Sequence, residues 1–160
     1  MEIRYINEND NLNAIRRIYE ESWKYAYKGI IPQPFLDSIQ QGKWCRTVQK
    51  FDTLVMTDGG IPVGTSSFCP SRWEKYIGYG EIVSIYFLPE YIGKGYGGAL
   101  LKKAITELHE RGFDKILLWF LEDNHRARHF YEKHGFICTD EFIEDNIGGK
   151  PLKEIMYILE

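Results

Sequence analysis

The chain has 160 residues, a formal net charge of -3, 44% hydrophobic and 27% charged residues, which predicts one ordinary globular domain with a core of its own and no second domain. The slight acidity gives no reason to expect nucleic acid or an anionic membrane as a partner, since both select basic patches, and it leaves room for a cationic substrate. No apolar run approaches the length of a membrane span.

Ile3 and Tyr5 with their polar neighbours read as a short strand, and Asn9, Asp10 and Asn11 can cap a helix that starts after them. From Leu12 onward, Ile15, Ile18, Tyr19, Ser22, Trp23 and Ala26 recur at helical spacing until Gly29 and Pro32 end the helix. Trp23, Tyr25 and Tyr27 either bury their rings against a sheet, the ordinary use of such residues, or turn at least one ring to a cleft. Residues 53–56 and 63–68 are predicted as a hairpin around Asp58-Gly59-Gly60. Residues 70–78, PSRWEKYIG, then read as a loop in which Arg72, Trp73 and Tyr76 either overhang a site or merely connect two strands.

Residues 81–88 alternate, and a regular strand would put Glu81, Val83, Ile85 and Phe87 on one side. A carboxylate in that company is either a strand-end acid, solvated or paired with a lysine, or a general base whose pKa burial would raise. Residues 91–98, YIGKGYGG, hold four glycines in eight positions, so their amides can close on an anion without crowding from side chains. The next helix, with Leu100, Leu101, Ala104, Ile105 and Leu108 in a stripe and Gly112 at its end, adds unpaired N-terminal donors and the positive end of its dipole. A phosphate is the expected guest.

Residues 115–121 read as a buried strand, so strand, glycine loop, helix and strand form a βαβ-type unit with parallel flanking strands. A helix over 124–134 stops at Gly135, and strands at 136–143 and 152–159 flank Asn146-Ile147-Gly148-Gly149. Cys45, Cys69 and Cys138 are odd in number and unpatterned, and Met1 to Asp10 lacks the basic then apolar plan of a signal peptide. A cytoplasmic protein with reduced thiols is expected.

Two patterns compete for the glycines. Gly93, Gly95 and Gly98 formally spell G-x-G-x-x-G, with Glu122 and Asp123 placed where a ribose-binding acid is wanted. That motif normally opens a repeated βαβ array, whereas here more than half of the chain precedes it and Pro89, Glu90, Tyr91 and Ile92 separate strand from glycines. The run 84–104, SIYFLPEYIGKGYGGALLKKA, together with 121–136, LEDNHRARHFYEKHGF, instead resembles the central motifs of GCN5-related N-acetyltransferases. Gly95 and Gly97 match the glycines of that family's pyrophosphate signature, and Ile92 stands in its Arg or Gln slot. Asn124, Tyr131 and Lys133-His134-Gly135-Phe136 match its second motif.

The resemblance implies a single α/β domain over 1–160 with a mixed, mostly antiparallel sheet, two splayed parallel central strands and flanking helices. It implies acetyl-CoA as cofactor, its diphosphate held by Ile92, Gly93, Lys94, Gly95, Tyr96, Gly97 and Gly98. The pantetheine arm and thioester would lie along Ile85, Tyr86 and Phe87, beside Asn124, Ala127, Phe130 and Tyr131. Asn124 could equally be only the N-cap of its helix. Trp23, Tyr27, Trp73 and Tyr76 would wall the acceptor pocket, and a homodimer is the family expectation. The implied reaction is direct acetyl transfer to a primary amine, small-molecule or peptide.

An alkylamine with a pKa of about 10.4 is only about one part in a few thousand neutral at pH 7, so its proton must be removed, and Glu81 is the candidate base. The departing thiolate needs a proton, and Tyr131 is the candidate acid. Trp119 stands where some family members carry an acid. No cysteine stands in a Cys-His setting, which favours direct transfer. No metal is expected: His125 and His129 have ligand spacing, but Arg126 and Arg128 lie between them. These four residues, like Lys94, either approach the 3'-phosphate of CoA or form a solvated face. Asp140, Glu141, Glu144 and Asp145 either attract a cationic acceptor or form a solvated hairpin. Two other readings are a non-catalytic CoA-binding module, suggested by Ile92, and a dinucleotide-binding oxidoreductase.

Overall fold

The structure, a computed structural model, describes residues 1–39 and 51–160. Cys45 lies outside the described residues. In chain order the elements are β1 (Glu2–Tyr5), α1 (Leu12–Ala26), α2 (Gln33–Asp37), β2 (Asp52–Asp58), β3 (Ile61–Pro70), β4 (Gly80–Phe87), α3 (Tyr96–Glu110), β5 (Ile116–Leu121), α4 (His125–Lys133), β6 (Ile137–Ile147) and β7 (Lys150–Leu159), with single 3-10 turns at Glu74–Tyr76 and Pro89–Tyr91.

The strands form one sheet in the order β1-β2-β3-β4-β5-β7-β6. Every neighbouring pair is antiparallel except β4 and β5. One parallel pair is what a single βαβ crossover produces. The repeated parallel array that a dinucleotide fold requires is absent among the described residues. The parallel pairing is short: Gly80, Glu81 and Ile82 face Ile116, Leu117 and Leu118. Beyond that point β4 continues to Phe87 and β5 to Leu121 without pairing to each other, so the sheet is open in its middle.

Local chemistry explains the element ends. Asn11 caps α1, its side chain accepting from the amides of Asn13 and Ala14. Gly59-Gly60 and Gly148-Gly149 all have positive φ, the conformation a two-residue hairpin turn needs on a twisted ribbon. Pairing therefore runs right up to each glycine pair, and β6 and β7 extend further than periodicity alone predicts. Among the described residues no helix is long and apolar enough to cross a membrane.

β4 does not keep the regular alternation that its sequence predicts. The register passes from Ser67 opposite Ser84 to Phe68 opposite Ile82, so Val83 is an extra residue, a β-bulge. Cross-strand partners share a face, and the bulge reverses the alternation. Glu81, Ser84 and Tyr86 thus share one face with Cys69, Ser67 and Thr65, while Ile82, Ile85 and Phe87 share the other with Phe68, Ser66 and Gly64. On the first face α1 packs, with Tyr19 edge-on to Tyr86 at 5.0 Å and its hydroxyl 3.4 Å from Ser67 Oγ. On the second, Leu100, Leu101, Ala104 and Leu108 of α3 join Phe68, Ile82, Phe87, Leu118 and Phe120 in the main core.

Candidate active site

The glycine loop is built for backbone contact. Gly93 and Gly95 have φ of 79° and 87°, with open space where side chains would project. Gly95 is the N-cap of α3 and no side chain caps that end, which leaves first-turn amides and the positive end of the helix dipole facing outward. Gly97 and Gly98 lie within that first turn rather than in the loop. A Cβ on Gly97 would stand 3.3 Å from Phe130, and one on Gly98 2.9 Å from His134 Nε2. Their missing side chains therefore let α4 lie close against α3. Ile92 packs against the main core, so this chain offers an anion main-chain donors there and no guanidinium. The Lys94 ammonium sits 5.9 Å from the Tyr91 ring.

Beside the loop, Tyr131 reaches the open middle of the sheet from α4. It is 8% exposed and ringed by Phe130 at 5.2 Å, Phe120 at 5.4 Å and Phe136 at 5.8 Å. Burial first, and the nearby Tyr86 second, hold its phenol well above the ordinary tyrosine range. Asn124 is the N-cap of α4: its Oδ1 accepts from Ala127 N–H at 3.1 Å. That leaves the side-chain amide as a donor for a ligand. Ala127 and Phe130 are half-buried on the same helix.

On the opposite face, Trp23 and Tyr27 at the end of α1 meet edge to face at 4.7 Å and 77°, both at the hydroxyl of Tyr86. The Tyr27 phenol is raised by burial first, then by Tyr131 and Glu154. Tyr27, Tyr86 and Tyr131 are thus brought together from both faces where the strands part. Trp73 lies over Trp119 at 4.7 Å. Tyr76 does not join this group: it packs on Tyr79 at 5.3 Å, beside the ion pair of Lys75 and Glu141.

Glu81, 1% exposed, is held by Arg72. The Arg72 amide donates to Oε1 at 3.1 Å, and Nε and Nη2 donate to Oε2 at 3.1 and 2.5 Å. The partner is thus an arginine from the 70–78 loop rather than a lysine. On the same face, Ser84 Oγ and Trp119 Nε1 are buried without a hydrogen-bond partner.

Glu154 belongs to no motif in the sequence. It lies opposite Leu121 on β5 and Ile143 on β6, on the face that carries Glu81 and Trp119. Burial first, then Asp145, raises its carboxyl above the usual range, and Arg72 opposes the shift. The signal for it is alternation: Glu154 stands between Leu152 and Met156 on one face of β7, a carboxylate flanked by apolar residues.

Arg128 donates to Glu122 O at 3.0 Å and to the Tyr157 hydroxyl at 3.2 Å. Arg126 lies over the Tyr25 ring at 5.0 Å. Among the described residues no three His, Cys, Asp or Glu side chains converge as a metal site would require.

A family profile described as "Acetyltransferase (GNAT) family" matches residues 12–136. A Bacillus subtilis protein, "Uncharacterized N-acetyltransferase YuaI", is 31% identical over 152 residues, 91% of this chain and 86% of its own length. The PaiA N-acetyltransferase of Thermoplasma acidophilum, solved in complex with coenzyme A, superposes with a TM-score of 0.80 at 22% identity, covering 99% of this chain and 98% of that one. The putative acetyltransferase yncA from Salmonella typhimurium, solved with acetyl-CoA, superposes at 0.75 and 21% identity, covering 100% and 93%.

Proposed function

Since the chain belongs to the GNAT acetyltransferase family, we propose that it transfers the acetyl group of acetyl-CoA directly to a primary amine. The observation that carries this reading is the juxtaposition of an uncapped, glycine-lined helix start with an opening between β4 and β5 that Tyr131 faces.

Main-chain donors of 92–98 would hold the diphosphate, and the Asn124 amide with the β4 edge at Ile85, Tyr86 and Phe87 would hold the pantetheine arm. When bound, acetyl-CoA supplies an activated acyl group as a thioester. The amine nitrogen forms a bond to the acyl carbon as the carbon–sulfur bond breaks. Tyr131, kept protonated by its burial, gives its proton to the departing sulfur and is reprotonated by solvent. The proton lost by the amine passes to Glu81, through water because the carboxylate is already engaged by Arg72. Trp23, Tyr27 and Trp73 wall the acceptor side. Tyr76, placed apart from them, would contribute only at the rim.

This reading includes a cytoplasmic setting, in which Cys69 and Cys138 remain thiols, and an acceptor that is a small molecule or peptide. Dimerisation is part of the same resemblance and is checked by light scattering.

The test is release of free CoA thiol from acetyl-CoA across a panel of amines, together with melting curves in acetyl-CoA, CoA and NAD. Ligand at one hundred times its Kd stabilises a protein by about 2.7 kcal/mol. Stabilisation by CoA without thiol release on any amine would mark a CoA-binding module. Stabilisation by NAD alone would overturn the reading altogether.

A further inference from the structure

On the α1 face of the opening, one half-buried carboxylate has no counter-ion of its own. Glu154 makes no hydrogen bond or ion pair among the described residues. Other acids around it do: Glu81 has Arg72, Glu122 has Lys153 at 3.7 Å and Glu141 has Lys75. Its neighbours Leu121 and Leu152 belong to the apolar cluster of Ile31, Leu36 and Ile39, against which Trp23 and Tyr27 pack. A carboxylate in such a setting is costly unless a cation reaches it.

Three features of the surroundings agree on the sign of the missing partner. Asp145, opposite Leu152, adds a second negative charge beside Glu154. Among the described residues the cation that acts on Glu154 is Arg72, and it is committed to Glu81 through both its guanidinium and its amide. Trp23 and Tyr27 offer aromatic faces, which attract a cation. Independently, Ser84, 8% exposed, keeps its hydroxyl oxygen unpartnered on this face, as does the Trp119 indole N–H. Buried polar atoms of this kind are normally satisfied, so they point to a polar ligand.

We propose that Glu154 is the acceptor-binding carboxylate, and that the acceptor is a cationic alkylamine with no carboxylate beside its nitrogen. This rests on the acetyltransferase reading. An α-amino acid would bring its own carboxylate against Glu154 and Asp145, and among the described residues the Arg72 guanidinium is already taken by Glu81. A simple amine brings no such carboxylate and meets the opposite charge of Glu154 and Asp145. Glu154 selects and orients the acceptor; proton removal remains with Glu81.

The experiment measures acetyl transfer to matched pairs that differ by one carboxylate, cadaverine against lysine and tyramine against tyrosine. The wild-type protein is expected to favour each amine over its amino acid by at least tenfold in kcat/KM. Glu154→Gln, nearly the same shape, is expected to raise KM for the amines tenfold or more, to leave KM for acetyl-CoA unchanged, and to narrow the gap to the amino acids. Glu154→Asp is expected to recover part of the amine affinity, which a purely structural role would not produce. An amine KM within twofold of wild type in Glu154→Gln, or a wild-type preference for the amino acids, would overturn this proposal alone. Absence of thiol release with every acceptor would overturn the acetyltransferase reading and this proposal with it.

Discussion

Tyr131 and Tyr86 belong to opposite faces of the sheet, one rising from α4 and the other projecting from β4 toward α1, yet they lie within electrostatic reach of each other through the opening between β4 and β5. A fully paired sheet would have kept them apart. The divergence of two parallel strands therefore opens a place where a group from the α3 face meets groups from the α1 face.

Tyr131→Phe removes the hydroxyl and leaves the ring contacts with Phe120, Phe130 and Phe136 in place. Turnover should fall by about 100-fold, the lower range for loss of a general acid, while KM for acetyl-CoA and the melting temperature stay near wild type. Undiminished turnover would remove Tyr131 from the proton path.

Glu81 and Arg72 should separate by readout. Glu81→Gln is expected to shift or abolish the acidic limb of the pH–rate profile, because a base acts only when deprotonated and activity falls as it takes up its proton. Arg72→Met strips the guanidinium donors from a buried carboxylate and should cost about 2 kcal/mol of stability in a urea titration. An acidic limb unaltered in Glu81→Gln would assign proton removal to water or to the pocket itself.

Gly95→Ala forces a side chain into a backbone held at φ 87°, which costs about 1–2 kcal/mol, and disturbs the amides at the start of α3. KM for acetyl-CoA should rise. Gly29→Ala is the control: its φ is 84° with equally open surroundings, but it lies away from the loop, so stability should fall with no change in that KM.

Glu154 carries a pH signature that needs no substrate. Its carboxyl is raised by burial and by Asp145, against the opposing charge of Arg72. The folded state therefore holds that proton more tightly than the unfolded chain, and stability is lost as pH rises from the ordinary carboxyl value of 4.5 through the raised one. Glu154→Gln should melt higher than wild type at pH 7, and the difference should vanish well below pH 4.5. An equal melting temperature at pH 7 would show that the carboxylate is solvated.

Much of the architecture can be read from short-range pattern. Helical spacing from Ile15 to Ala26, the glycine pairs at 59–60 and 148–149, and the Gly93–Gly95 loop before an apolar stripe are statements about neighbours in the chain, where local sterics and hydrogen bonding suffice. The motifs around 84–136 name the family for the same reason. Tertiary contacts supplied the rest. The bulge at Val83 turned Glu81 toward Tyr86 instead of Phe87, Gly97 and Gly98 also give Phe130 and His134 their clearance, and Arg72 rather than a lysine closed on Glu81. Glu154 acquired its setting from β5, β6 and α1 together. Register and charge pairing join residues far apart in the chain, and no local periodicity encodes which of several carboxylates will meet a cation and which will be left to wait for one from solution.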